Sequence, residues 1–328
     1  MAGAAAPVEA HRHRRRELLG LGEERRPRGR DKPQGPVGLR RDAEKVGGAL
    51  PPLLAEAERL AASVAMGFHG RRRAGHGENF WQYRQAVPGD PRSSVDWRRS
   101  GKSDQQFIRE MEWEAAQTVH LWVDDALSMD YRDSDDAKAR SKFERGALIA
   151  LALAILLVKA GERVSLLGTD ATQPRAGRAQ LNRMALALGG AARDDRPDYG
   201  APPTDRMVRG SRAVFFSDFF GDFDAMKPAL SHAADRGIRG SFVQVLDESE
   251  EAFPFDGRVI FESMGGLSEF ETQRARALRG AYRERLAARR AMIEDMARHL
   301  GWRVLFHRTS ASPRQALLWL YMAVGARA

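Results

Sequence analysis

The sequence predicts an α/β protein with a doubly wound, mostly parallel sheet, and three observations carry that reading. Short apolar strands alternate with amphipathic helices from residue 118 to the end of the chain. Residues 118–130, T-V-H-L-W-V-D-D-A-L-S-M-D, read as a strand that stops in clustered oxygens, where open α/β sheets gather ligands. A helix and a second strand follow at the spacing of a βαβ unit, which implies parallel pairing.

Bulk properties narrow the function. With 328 residues, 43% of them hydrophobic, the chain can build one large domain and a smaller unit. It has no cysteine, so disulfides, thiolate metal sites and cysteine nucleophiles are excluded. Net charge is +9, but residues 1–41 hold eleven basic side chains against five acids and leave only +3 for the other 287 residues. The body is therefore close to balanced, and its charge predicts no specific nucleic-acid groove. Residues 1–41 read as a disordered basic tail that cannot bury enough apolar surface to offset its ordering entropy. Such a tail is either merely solvated, the product of an early start codon, or a tether to nucleic acid or an anionic surface. No apolar stretch follows its basic start, so no secretory signal is read. The longest apolar run, residues 146–160, is 15 residues long, short of the roughly 20 a spanning helix needs. No transmembrane segment and a cytoplasmic location are expected.

Taken in order, residues 42–66 read as a helix, with Leu50, Leu53, Leu54, Ala57, Leu60, Ala61 and Val64 on one face. Residues 67–117 read as a small β-rich unit with a turn at Pro88-Gly89-Asp90. Arg84, Asp90, Arg92, Asp96 and Arg98, dense opposite charges beside Trp97, form either a partner-docking surface or structural ion pairs in a core-poor unit. Residues 118–328 form the main domain. After the opening strand, Ser141 with Glu144 makes a capping box for a helix carrying the apolar run, read as buried. A strand over 164–167 and a helix over 178–188 follow, then a loop-like polar stretch over 191–204. Next come a strand over 213–216 running into Ser217-Asp218, a helix over 222–234, and strands over 241–246 and 259–261. Ser268 with Glu271 predicts a capping box for a long helix over 268–300, stopped by Gly301. A strand over 303–306 and a helix from Pro313 to about 324 complete six strands in the sheet.

The chemistry centres on the strand ends. No phosphate loop, dinucleotide fingerprint, nucleophile elbow or H-E-x-x-H is present, and the eight histidines are scattered. Asp124 and Ser128 close one predicted strand, and Asp218 closes another. If those strands are neighbours, the oxygens converge and suit a hard cation such as Mg²⁺. Alternatively, both aspartates cap helices or satisfy loop amides.

The segments G-H-G-E-N-F-W-Q-Y-R (75–84), V-P-G-D-P-R-S-S-V-D-W-R (87–98) and I-R-E-M-E-W-E (108–114), followed by D-D-A-L-S-M (124–129), resemble the bacterial "domain of unknown function 58" family. D-D-A-L-S-M and F-F-S-D (215–218) are also similar to the metal-adhesion motif of von Willebrand factor A domains. The resemblance covers about 67–325 and implies a von Willebrand A-like domain. Ala126 stands where that motif has its middle serine, and neither Thr169 nor Thr204 is clearly placed as a further ligand. The implied Mg²⁺ site is thus degenerate, with Asp124, Ser128 and Asp218 as its remaining ligands. The resemblance further implies a non-enzymatic interaction module, an adaptor or co-chaperone of a MoxR-type AAA+ ATPase in assembly or maturation of other proteins. The alternatives are a metal-dependent hydrolase using Asp124 and Asp218, and nucleic-acid or anionic-surface binding through the basic tail.

Overall fold

A computed structural model describes residues 11–13, 52–68, 80–88, 90, 92–101, 105–111, 116–133, 139–190, 196–203, 207–266 and 269–325. His11–His13 is a short strand, β1. The rest of the predicted tail and residues 42–51 lie outside the described residues.

The main sheet has five strands, all parallel: β4 (Thr118–Val123), β5 (Arg163–Leu166), β6 (Arg212–Ser217), β7 (Arg239–Leu246) and β10 (Arg303–Arg308). Their spatial order is β10-β7-β6-β4-β5, so the first strand in sequence lies between the second and the third. That order is doubly wound, with its crossover reversal between β4 and β6. On the edge away from β4, Val164 of β5 makes an isolated antiparallel bridge to Arg175.

Period-two alternation sends neighbouring side chains to opposite cores. On one face Val119, Leu121 and Val123 of β4 join Val214, Phe216, Val243 and Val245. That face is covered by α1 (Pro52–Phe68), α3 (Lys142–Lys159), α4 (Arg178–Gly189) and α8 (Pro313–Gly325). On the other, Trp122, Ala213, Phe215 and Phe242 pack under α5 (Phe223–Asp235) and α7 (Ala275–Leu300). Helix α3 packs against the sheet and also against α1, α4 and α8. Hence residues 146–157 are buried all round, and no helix among the described residues is long and apolar enough to cross a membrane.

The small unit is an antiparallel hairpin of β2 (Phe80–Gln85) and β3 (Phe107–Met111). A one-turn helix, α2 (Trp97–Ser100), lies between them, and Val95 bridges to Ile108.

The structure corrects the sequence reading after β7. A short helix, α6 (Glu248–Ala252), follows, and then β8 (Val259–Ser263) leaves the main sheet to pair antiparallel with β1 and β9 (Glu269–Thr272). The sheet therefore has five parallel strands rather than six. Glu271, expected in a helix-capping box, faces Ile260 across that hairpin, and Ser268 lies outside the described residues. Gly266 at φ +70° supplies the reversal that returns β9 along β8. Helix α7 starts only at Ala275, and ends as read at Gly301 in the left-handed conformation.

Phe215 sits edge-on to both Trp122 (5.7 Å between centroids) and Trp302 (5.2 Å) and is wholly buried. Phe215→Ala is expected to cost about 3–5 kcal/mol of stability. Urea unfolding followed by tryptophan fluorescence measures it, with the midpoint falling and the slope unchanged.

Candidate functional site

The carboxyl ends of β4 and β6 meet at the crossover reversal, and the chain places its buried acids there. Asp124 follows β4 directly, and its backbone N–H donates to the carbonyl of Phe216 in β6 (2.8 Å). Its Oδ1 accepts from the Ala126 amide (3.0 Å) and its Oδ2 from the Ser217 hydroxyl (2.6 Å). Burial, reinforced by the charge of Asp218, pushes the Asp124 carboxyl up to about 7.

Asp218 follows β6. Its Oδ1 accepts from the Phe220 amide (2.9 Å), while the Ser217 hydroxyl accepts from the Phe219 amide (2.9 Å). Those two bonds hold a turn in which Phe219 takes φ 54°, a left-handed conformation a phenylalanine rarely adopts. Both expected aspartates thus satisfy loop amides.

The decisive partner is one the sequence reading missed. Lys142, the first residue of α3, is fully buried, and its ammonium donates to Asp218 Oδ2 (2.8 Å) and Glu250 Oε1 (2.7 Å). The capping box of Ser141 and Glu144 fixes the start of this helix and so the direction from which Lys142 enters. Burial would depress the ammonium, but Asp218 and Glu250 outweigh it and hold its pKa above the ordinary lysine value. The rings of Phe220 and Tyr131 flank it at 5.1 and 5.7 Å. Glu250 is anchored through Oε2, which accepts from the Asp247 amide (2.8 Å) in the capping box of α6. Burial lifts Glu250 to about 7 despite the ammonium beside it. Tyr131 and Ser249 close the cluster with a hydroxyl–hydroxyl bond of 3.0 Å.

This arrangement does not fit Mg²⁺. One Asp218 oxygen holds an ammonium, Ala126 offers no ligand, and the Thr169 hydroxyl is turned onto the Leu166 carbonyl (2.9 Å). Thr204 lies outside the described residues. Ser128 is buried and near Asp124 in sequence, but its hydroxyl has no hydrogen-bond partner among the described residues. His120 is structural. The Val208 amide donates to its Nε2 (2.9 Å), so Nδ1 faces the Ser165 hydroxyl (2.7 Å) as donor, and burial lowers its pKa to about 4.

The charges of the small unit divide into two groups. Arg84 grips Asp90 through two parallel bonds (2.6 and 2.7 Å), and Asp90 Oδ2 also accepts from the Val87 amide (2.8 Å), closing the turn. The Arg84 guanidinium holds Asp90 down at about 2. Asp96 caps α2 through the Arg99 amide (3.0 Å) and accepts from the Tyr83 hydroxyl (3.1 Å). Arg99 lies over the Tyr83 ring at 4.2 Å. These residues shape the unit. Trp97 points outward, 60% exposed, between the exposed Arg92 and Arg98.

A family model described as "Protein of unknown function DUF58" matches residues 82–292. The chain belongs to this family. The matched span of the DUF58 family runs from β2 into α7, so it takes in the Trp97 unit and the buried cluster alike. The chain is also similar to uncharacterised proteins of Mycobacterium bovis and Mycobacterium tuberculosis, each 27% identical over 289 residues, covering 82% of this chain and 86% of the relative. No solved structure matches the chain.

The cluster yields two expectations. Lys142→Met leaves two carboxylates buried without a counter-ion and should cost about 3–5 kcal/mol at neutral pH. Because protonation relieves them, the loss should shrink as pH falls, measured by urea unfolding at pH 5 and 8. The Asp124 carboxyl sits at about 7 against an ordinary 3.8, so between those values the folded chain binds more protons than the unfolded one. Its contribution to stability therefore declines as pH rises from about 4 to about 7. Asp124→Asn should gain on the wild type across that window, by at most about 1.4 kcal/mol per pH unit.

Proposed function

We propose that this DUF58 protein is a non-enzymatic protein–protein interaction module. In this reading it is an adaptor or co-chaperone of a MoxR-type AAA+ ATPase, built on a von Willebrand A-like body and working in the cytoplasm on the assembly or maturation of other proteins. The observation that carries the proposal is the outward face of the small unit. Arg84, Asp90 and Asp96 are engaged inside the unit, while Trp97, Arg92 and Arg98 are left to solvent. Tryptophan and arginine are the side chains that most often dominate binding energy at protein interfaces.

The parallel sheet with oxygens at its crossover reversal supports the von Willebrand A-like reading, as does the antiparallel bridge at the outer edge of β5. The buried ammonium on Asp218 speaks against a hydrolase that would use this carboxylate as a metal ligand. Binding through the basic tail gains no support from the described residues.

The test is a binding titration between the full chain and a purified MoxR-type ATPase from the same organism. The wild type should bind, and Trp97→Ala and Arg92→Glu/Arg98→Glu should each weaken binding tenfold or more with the thermal melt unchanged. A wild-type chain that fails to bind the ATPase removes the adaptor reading.

A further inference from the structure

Residues 196–203, R-P-D-Y-G-A-P-P, do more than connect α4 to β6. They lie directly against the strand-end acids. The carbonyls of Pro197 and Asp198 accept from the amides of Leu127 and Ser128 (both 2.9 Å), which continue from the end of β4. Gly200 presses so closely on Asp124 that a Cβ there would overlap Oδ1. Gly221, just beyond the β6 turn, admits Tyr199, whose Cβ lies 2.9 Å from where a side chain would begin. Gly265 makes the same allowance for the Asp198 carboxylate. Three prolines in eight residues stiffen the segment, so it fits as a unit.

One side chain fastens it. Arg196 donates to the Asp125 carbonyl (3.0 Å) and to Asp130 Oδ1 (3.2 Å), and its second terminal nitrogen bonds Asp130 Oδ2. Arg196 and Asp130 both line a cavity of about 470 Å³, from which a competing group can reach the pair.

Beneath the segment, the buried acids are served unequally. Three buried acids, Asp124, Asp218 and Glu250, share one ammonium, and Lys142 serves only the last two. Asp124 is bonded only to an amide and a hydroxyl, with no lysine or arginine on it among the described residues. Ser128, 2% exposed, carries a hydroxyl with no partner among the described residues. A buried hydroxyl without a partner is unfavourable, and a ligand that bonds it removes that penalty.

We propose that residues 196–203 are a lid, latched by the Arg196–Asp130 pair, over a second docking site at Asp124 and Ser128 that receives a lysine or arginine side chain of a partner. The ligand class follows from the neighbouring pair, where the same protein satisfies Asp218 and Glu250 with an ammonium. The site is distinct from the Trp97 face and stands whether or not that face binds an ATPase.

Two variants open the lid by separate routes. Arg196→Ala removes the latch, and Gly200→Ala drives a Cβ into Asp124 while leaving Arg196 in place. Hydrogen exchange at the Leu127 and Ser128 amides should quicken at least tenfold in each, with β4 itself still protected as proof of folding. A tri-arginine peptide titrated into either variant should bind, and adding Asp124→Asn should abolish that binding. Unchanged exchange in both variants overturns the lid. Faster exchange without Asp124-dependent peptide binding overturns the docking site. Mn²⁺ binding through Asp124 in place of the peptide overturns the ligand class.

Discussion

The buried ammonium of Lys142 is the constraint around which the strand ends are arranged. It reaches Asp218 beyond β6 and Glu250 in α6, and it does so from the first turn of α3. A fully buried charge has no water to fall back on, so each of these elements must be in place for the others to be tolerable. Such a cluster adds little net stability compared with an apolar core of the same volume. In this protein it fixes which strand ends meet. The Phe219 turn, the α6 capping box and the Tyr131–Ser249 bond all hold groups in contact with it. Helix α7 braces the same region, with Arg279 and Arg283 donating to the carbonyls of Phe253 and Ala252 and Arg289 to those of Phe220 and Gly221.

Much of this architecture was legible in the sequence, and the misses have physical causes. The apolar runs in T-V-H-L-W-V and A-V-F-F identified central strands because both faces of the sheet are covered. The Ser141–Glu144 box was legible because both its bonds are local. Ser268–Glu271 has the same spelling, yet β9 occupies that stretch, since pairing with β8 outweighs a local helix signal. Lys142, the first residue of α3, carries no such local signal. Its partners lie 76 and 108 residues away, and no local pattern announces a contact of that separation. Residues 191–204 read as a polar loop for a similar reason. What gives 196–203 its place is backbone carbonyls and an absent Cβ, neither of which composition reveals.

The small unit shows how few side chains separate scaffold from surface. Arg84–Asp90 and Asp96–Tyr83 tie down a hairpin with little apolar core of its own. Within one turn of that scaffold, Arg92, Trp97 and Arg98 are exposed. Sequence alone placed all six in one constellation, whereas the hydrogen bonds divide it into groups that hold and groups that face outward.

Those long separations also bear on how the chain can come together. Synthesis delivers Lys142 well before Asp218, and Asp218 before Glu250. Until residue 250 has emerged, the ammonium lacks one of its two carboxylates and remains better hydrated than buried. Trp302 closes the sheet later still, donating to the Ile238 carbonyl (2.8 Å) while its ring covers Gly240. The first βα unit therefore gains the second carboxylate for its buried ammonium only once residue 250 is available. Reliance on such distant contacts is expected to slow the folding of a parallel sheet.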